Sequence, residues 1–463
     1  VAEQESPMPL NRREFSLSLG AISFFAKPTW AQGKSELDLL LDLIDGSPAA
    51  YAEAHGAIRA SKRLDLAAGV IMASRFSAGR EADFNETLRA ITGEKRAATW
   101  FDWMLWQQSN RQIVPHQASL IGLKQDVYKR IDPDFDVFLK SKHLNRRRMR
   151  IRLEEITWGG VRKDGIPSLD NPSLVDANRA RYMRPDDLVF GVSINGDSRA
   201  YPLRIMGWHE MFNEVIGGVP VALAYCTLCG SGILFETKVR GRNRPLIFGS
   251  SGFLYRSNKL MFDRATHSLW NQFTGEPVSG RLVGSGIKLK QRPVVITQWQ
   301  DWRAANPDTK ILSVQTGHRR NYGSGVVYSE YFASKDLMFP ALVDQRRHRQ
   351  KDYVFGIREF GGAKAWPLDA FTNRRVINDG MSGKPLVLVG QASKREVRAY
   401  ERGSLKFKKT RNGLASNDGR NWRMTENALV AGDGTQLPRV AGHIAYWFAW
   451  NGYLGAQSEL YKS

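Results

Sequence analysis

The chemistry-bearing feature of this chain is Tyr225-Cys226-Thr227-Leu228-Cys229-Gly230, which holds both of its cysteines in a C-x-x-C spacing. Such a turn brings two sulfurs close enough either to share a metal or to close a small disulfide ring. Upstream, Trp208-His209-Glu210 supplies an imidazole. Two thiolates and an imidazole suit Cu(I) first and Zn(II) second, and leave one coordination position open. Met261, Asp263 and His267, in the polar stretch from Met261 to Trp270, are the candidates for that position. Other readings stand beside the metal. In an oxidising compartment the pair is equally a plain disulfide or an exchange-active dithiol. A thioredoxin-like context needs a following helix, whereas Gly230-Ser231-Gly232 leads into a strand pattern. His209 alone reads as a hydrogen-bonded structural histidine, and Asp263-Arg264 as a local ion pair holding a loop.

The remaining familiar chemistries are poorly represented. With two cysteines, a four-cysteine zinc module, a cysteine-ligated iron–sulfur cluster and a disulfide-dense scaffold are excluded. No nucleophile elbow, phosphate-binding loop or H-E-x-x-H motif occurs. Gly249-Ser250-Ser251-Gly252 reads as a serine-containing turn without a base partner, and Glu154-Glu155 as a carboxylate pair in a Gly-rich neighbourhood. No substrate or reaction follows from these residues.

The elements that must position the cysteines follow from periodicity. From Leu37 to about Leu139 the pattern is helical: Leu40, Leu41 and Ile44, then Leu64, Leu66, Ala67, Val70 and Ile71. A further helix spans Phe84 to Ile91, closed by Thr92-Gly93, and another runs from Glu94 through Trp106. After Glu154 the runs become short, β-rich and punctuated by Gly, Pro and Asn/Asp: Leu188–Val192, Val219–Ala224, Gly232–Phe235 and Pro245–Phe248. The expected fold is α+β: an N-terminal α-helical domain, then a mixed, mainly antiparallel β-rich domain with internal duplication. Its boundaries are a signal segment at 1–32, the helical domain at 35–140, a basic linker at 141–153, a first repeat with the Cys/His site at 154–330 and a second, degenerate repeat at 331–463.

The duplication rests on one constant shift. It lays Val189-Phe190-Gly191 on Val354-Phe355-Gly356 and Ala200-Tyr201-Pro202-Leu203 on Ala365-Trp366-Pro367-Leu368. On the same shift Asn213, Gly218 and Pro220 meet Asn378, Gly383 and Pro385; a second shared signature, Trp299-x-x-Trp302 against Trp447-x-x-Trp450, follows in each half outside that shift. Shared residues read as scaffold. His209, Cys226 and Cys229 instead face Arg374, Gln391 and Lys394, so the chemistry is confined to the first copy.

Several motifs occur together: Glu154-Glu155-Ile156, Gly159-Gly160, Asp164-Gly165-Ile166-Pro167, Trp208-His209-Glu210, the C-x-x-C turn, Gly252-x-Leu254-Tyr255, Asp263-Arg264-x-Thr266-x-Ser268-Leu269-Trp270 and Trp299-x-x-Trp302. With them the chain, from roughly Glu154 to its C-terminus, resembles the bacterial family catalogued as domain of unknown function 3179. The resemblance implies no activity. It also argues against His267 as an essential ligand, since relatives vary there.

At the other end, Asn11-Arg12-Arg13-Glu14-Phe15-Ser16-Leu17 precedes a weakly apolar stretch to Ala26 and a small-residue site near Ala31. The order resembles a twin-arginine export signal and implies a periplasmic destination for a chain exported folded. No apolar run reaches the roughly 18 residues of a membrane-spanning helix. Lys and Arg number 67 against 46 Asp and Glu, a net charge of +21. That excess favours an anionic envelope polymer or lipid surface as partner; the basic run from Lys140 to Arg152 reads as a solvated linker face, and no specific nucleic acid is indicated. The expected function is therefore an exported protein binding copper or zinc, or doing thiol redox chemistry, at Cys226, Cys229 and His209. The alternative is a non-catalytic envelope binding or scaffold protein in which the cysteines only staple a turn.

Overall fold

Thr99 and Asp102 illustrate how the helical part is punctuated. The Thr99 hydroxyl accepts from the Asp102 amide while the Asp102 carboxylate accepts from the Thr99 amide, a reciprocal cap that starts a helix at Trp100–Ser109. The expected start at Glu94 is thereby corrected: residues 94–99 are not helical. The structure, a computed structural model, describes residues 33–144, 148–373, 375–411 and 413–462. The twin-arginine-type segment, Arg146 and Arg147 of the basic run, and Arg374 lie outside the described residues.

The chain forms two compact units that meet in sequence at Lys163 and Asp164; the expected second repeat and all of the first except residues 154–163 fall in the second. In the first unit, helices Glu36–Asp45, Pro48–Ser61, Ala67–Ser74, Glu81–Thr92, Trp100–Ser109 and Gln117–Ile131 pack around Leu40, Leu43, Ile58, Val70, Leu88, Trp103 and Leu123. Gly93 ends the fourth of these in a left-handed conformation at φ 75°, as Thr92-Gly93 predicts. Glu154 and Glu155 are both taken by Arg152, at 2.6 and 2.9 Å. Among the described residues no helix is long and apolar enough to cross a membrane.

The second unit is built from β-sheets and short helices. In its first half, strands 295–298, 188–194, 197–202, 310–312 and 174–176 lie in that order, with 310–312 parallel to 197–202 and the other pairs antiparallel. A second sheet runs 291–292, 231–236, 219–226, 211–216, 169–170. Strands Phe248–Tyr255 and Asn258–Asp263 form a hairpin extended by 269–271 and 276–279. Gly249-Ser250-Ser251-Gly252 is therefore strand, not turn, and the Ser251 hydroxyl is spent on the Leu260 carbonyl at 2.6 Å. In the second half, strands 443–446, 353–357, 364–367 and 459–460 repeat the order and directions of the first four strands of that first sheet, without a counterpart to 174–176. An eight-stranded antiparallel sheet from 376–381 to 407–410 curls until its ends nearly meet.

Three details occur in both halves. The Trp302 ring lies on Gly191 and the Trp450 ring on Gly356, where a Cβ would collide with the indole. Their indole N–H groups donate to Thr309 (2.9 Å) and Ser458 (2.7 Å). The Asn213 side chain exchanges two hydrogen bonds with the Phe248 backbone, and Asn378 does the same with Phe407. Phe190, Ile205, Phe212 and Leu234 share one core with Phe355, Trp366, Leu388 and Ile444.

Candidate functional site at the Cys226–Cys229 turn

Helix Leu203–His209 delivers Trp208 and His209, and Glu210 then turns the chain with a left-handed φ of 54° into strand Met211–Ile216. A non-glycine residue there carries strain of order 1–3 kcal/mol. Two main-chain bonds hold it: the Glu210 amide to Met206 at 2.7 Å, and the Tyr225 amide to the Glu210 carbonyl at 2.8 Å. The second places Glu210 beside the end of strand Val219–Cys226.

That strand pairs with Ser231–Glu236 in a register ending at Cys226 opposite Ser231. Between them the turn is closed by the Cys229 amide to Cys226 and the Gly230 amide to Thr227, both at 3.1 Å. Gly230 needs its positive φ of 59°, and a Cβ there would lie 2.9 Å from the Tyr353 ring and 3.3 Å from that of Tyr446. Cys226 and Cys229 form a disulfide with Cα atoms 5.2 Å apart. They are 2% and 0% exposed, and the Cys229 sulfur lies 3.6 Å from the Ser257 carbonyl.

Of the polar partners of the turn, Thr227 and Glu210 belong to the expected motifs, whereas Lys259 and Tyr328 have no place in the sequence reading. Thr227, between the cysteines, donates its hydroxyl to Glu210 Oε1 at 2.6 Å. Lys259 Nζ reaches Glu210 Oε2 at 3.1 Å, with both side chains under a tenth exposed. The Tyr328 hydroxyl approaches Glu210 Oε1 at 3.4 Å. Burial, with the Glu210 carboxylate beside it, pushes the Tyr328 phenol far above its ordinary value, so it stays protonated. The available signal was Lys259 itself, a cation immediately before the apolar run Leu260-Met261-Phe262.

The residues expected to complete a metal site are engaged elsewhere. His209 Nδ1 lies 2.9 Å from the Pro167 carbonyl, which can only accept, so Nδ1 carries the proton. Nε2 then accepts from the Tyr322 hydroxyl at 2.6 Å. Burial pushes His209 down to about 4, so its ring is neutral at pH 7. Met261 is buried in strand pairing opposite Trp270. Asp263 accepts from the Thr266 amide and hydroxyl, both at 2.7 Å, and from the Trp270 indole at 2.9 Å. It does not pair with its neighbour as expected: Arg264 bonds Asp164 instead, at 2.9 and 3.0 Å. His267 adopts a left-handed φ of 55° in that turn, with its ring stacked near Phe262. Among the described residues no three His, Cys, Asp or Glu side chains are grouped so as to hold a metal. Of the six expected site residues, the structure joins Cys226 and Cys229 to each other.

The arrangement sets a disulfide beside a buried carboxylate and ammonium. No curated protein and no solved structure matches the chain. The family described as protein of unknown function, DUF3179, matches residues 163–457, which takes in the cysteine turn, Glu210 and Lys259. Since that match spans well over half of the sequence, the chain belongs to the DUF3179 family.

Proposed function

We propose that the second unit is an exported thiol–disulfide module centred on Cys226 and Cys229, with Glu210 as its proton donor and acceptor and Lys259 as the countercharge. The observation that carries this reading is the Glu210–Lys259 pair, buried against the turn through Thr227. Removing two charges from water costs several kcal/mol per ion. A turn stapled for rigidity alone has no use for them.

In the proposed step a thiolate of an external dithiol attacks the Cys226 sulfur. The sulfur–sulfur bond breaks with its electron pair passing to Cys229, which takes the proton that the Glu210 carboxylate accepted from the partner's thiol and has the Ser257 carbonyl as acceptor. The partner's second thiolate then displaces Cys226, which is protonated in turn. Two electrons and two protons reach the protein, and the partner leaves as a disulfide.

The test is equilibration of the full chain with dithiothreitol buffers, read by thiol labelling under conditions where the protein stays folded. A single two-electron transition is expected, with its pH dependence altered in Glu210→Gln. A disulfide that stays closed in strongly reducing buffer while the protein remains folded refutes the reading.

The burial of both sulfurs favours a second reading, in which the disulfide only staples the turn. Cys226→Ser then lowers stability by about 2 kcal/mol, the entropy of so short a closed loop, and does nothing else. Metal content measured on the same preparations, with His209→Ala added, decides whether copper or zinc replaces the disulfide. The shared strand order, tryptophan–glycine contacts and asparagine bridges support descent of 154–330 and 331–463 from one duplicated unit. The twin-arginine-type segment supports a periplasmic location, where an oxidised pair persists.

A further inference from the structure

Between strands Lys310–Leu312 and Tyr353–Ile357 the chain holds a single regular element, the five-residue helix Ser329–Ala333. So long a stretch with so little regular structure is uncommon inside a domain and is characteristic of covers and binding loops. Three of its tyrosines reach the cysteine turn, Glu210 beside it and His209, the residue before Glu210. Tyr322 bonds His209 Nε2 at 2.6 Å, Tyr328 approaches Glu210 at 3.4 Å, and Tyr331 donates to the Leu228 carbonyl, inside the C-x-x-C turn, at 2.7 Å. The Trp208 indole donates back to Asn321 at 3.0 Å. Gly317 and Gly325 sit at φ 82° and 72° with open space where a Cβ would be, and Tyr328 is held left-handed at φ 56°. A segment pinned by separate hydroxyl bonds, with one unobstructed glycine near its start and another within it, can lift without disturbing a strand.

We propose that residues 316–331 are a strap that closes the Cys226–Cys229 site and must lift, with Gly317 and Gly325 supplying backbone freedom near its start and within it, before a partner dithiol can enter. The proposal rests on the thiol–disulfide reading and answers the difficulty that reading carries, two sulfurs sealed from solvent. Exchange then proceeds at a rate set by the open fraction of the strap.

The experiment measures two quantities on the full chain: the rate of disulfide reduction by dithiothreitol without denaturant, and native-state amide exchange across 318–331. Tyr322→Phe and Tyr331→Phe each remove one hydroxyl and leave the ring. Loss of one net hydrogen bond from the closed state raises the open fraction about two- to tenfold. Each variant is expected to speed reduction by that factor, and the pair together by roughly the product. The strap amides should exchange well before those of strand Val219–Cys226. Where the wild-type disulfide is reduced at a measurable rate, a double variant reduced no faster overturns the strap, and so, at any reduction rate, do strap amides that exchange only with global unfolding. Strap amides that exchange early and faster still in the variants, with a disulfide that resists dithiothreitol throughout, uphold the moving cover and overturn the redox reading instead.

Discussion

Lys259→Met tests whether the charge pair beside the cysteines is a true buried pair. The substitution keeps the length of the side chain and removes its ammonium, leaving Glu210 with the Thr227 and Tyr328 hydroxyls alone. Breaking a buried pair from one side costs about 3–5 kcal/mol, because an uncompensated charge remains in low dielectric. The two hydroxyls that still reach the carboxylate place the expected loss at the lower end, about 3 kcal/mol. Glu210→Gln removes the other charge, and the double variant leaves neither stranded. It is expected to be more stable than the summed single losses require by at least about 1.5 kcal/mol. The assay is urea unfolding at pH 7 with the disulfide intact, following the transition of the second unit and comparing midpoints at constant slope. A Lys259→Met variant within about 0.5 kcal/mol of wild type, or single losses that simply add, refutes the buried pair and with it the main support for the redox reading.

Burial holds His209 at about 4 against an ordinary value near 6.5, so between those pH values the unfolded chain binds more protons than the folded one. Its contribution is full above about pH 6.5 and is lost as pH falls towards 4, by up to about 3 kcal/mol; His209→Asn should shrink the stability difference between pH 7 and pH 4, and an unchanged difference refutes this. Gly191→Ala and Gly356→Ala drive a methyl group into the Trp302 and Trp450 rings and should each cost about 1–3 kcal/mol in thermal or urea unfolding; two silent substitutions would mean the rings are not seated there. With a net charge of +21, the chain should sediment with anionic vesicles in dilute buffer and be released as salt rises; retention indifferent to salt would point to another mode of binding.

The cysteine turn was legible because its information is local: spacing joins Cys226 to Cys229, and an apolar run marks the strand that ends there. The helix start at Trp100 was equally local, in Thr99 and Asp102, yet the aromatic periodicity around it drew the expected boundary back to Glu94. His209 was different. Its type suggested a ligand, but its partners Pro167 and Tyr322 lie far away in sequence, and nothing near His209 states which way the ring points. The same distance hid the Glu210–Lys259 pair: each residue was visible, and only the hairpin Phe248–Asp263 brings the second to the first. Strand Phe248–Tyr255 was misplaced because Ser250 and Ser251 are buried within it. Hydroxyls satisfied inside a sheet erase the apolar signature that sequence reading depends on.

The asparagine bridges have a consequence for how the molecule meets its own kind. An amide side chain carries the same donor and acceptor as a peptide group, so Asn213 and Asn378 stand in for a missing rung where two strands approach without forming a ladder. At the second of these seams the strands so joined are the two margins of the eight-stranded sheet. A margin that faces solvent is a template on which another chain can add a strand and begin to aggregate. Here each margin is turned towards the other, and the template is largely withdrawn before a neighbouring molecule can use it.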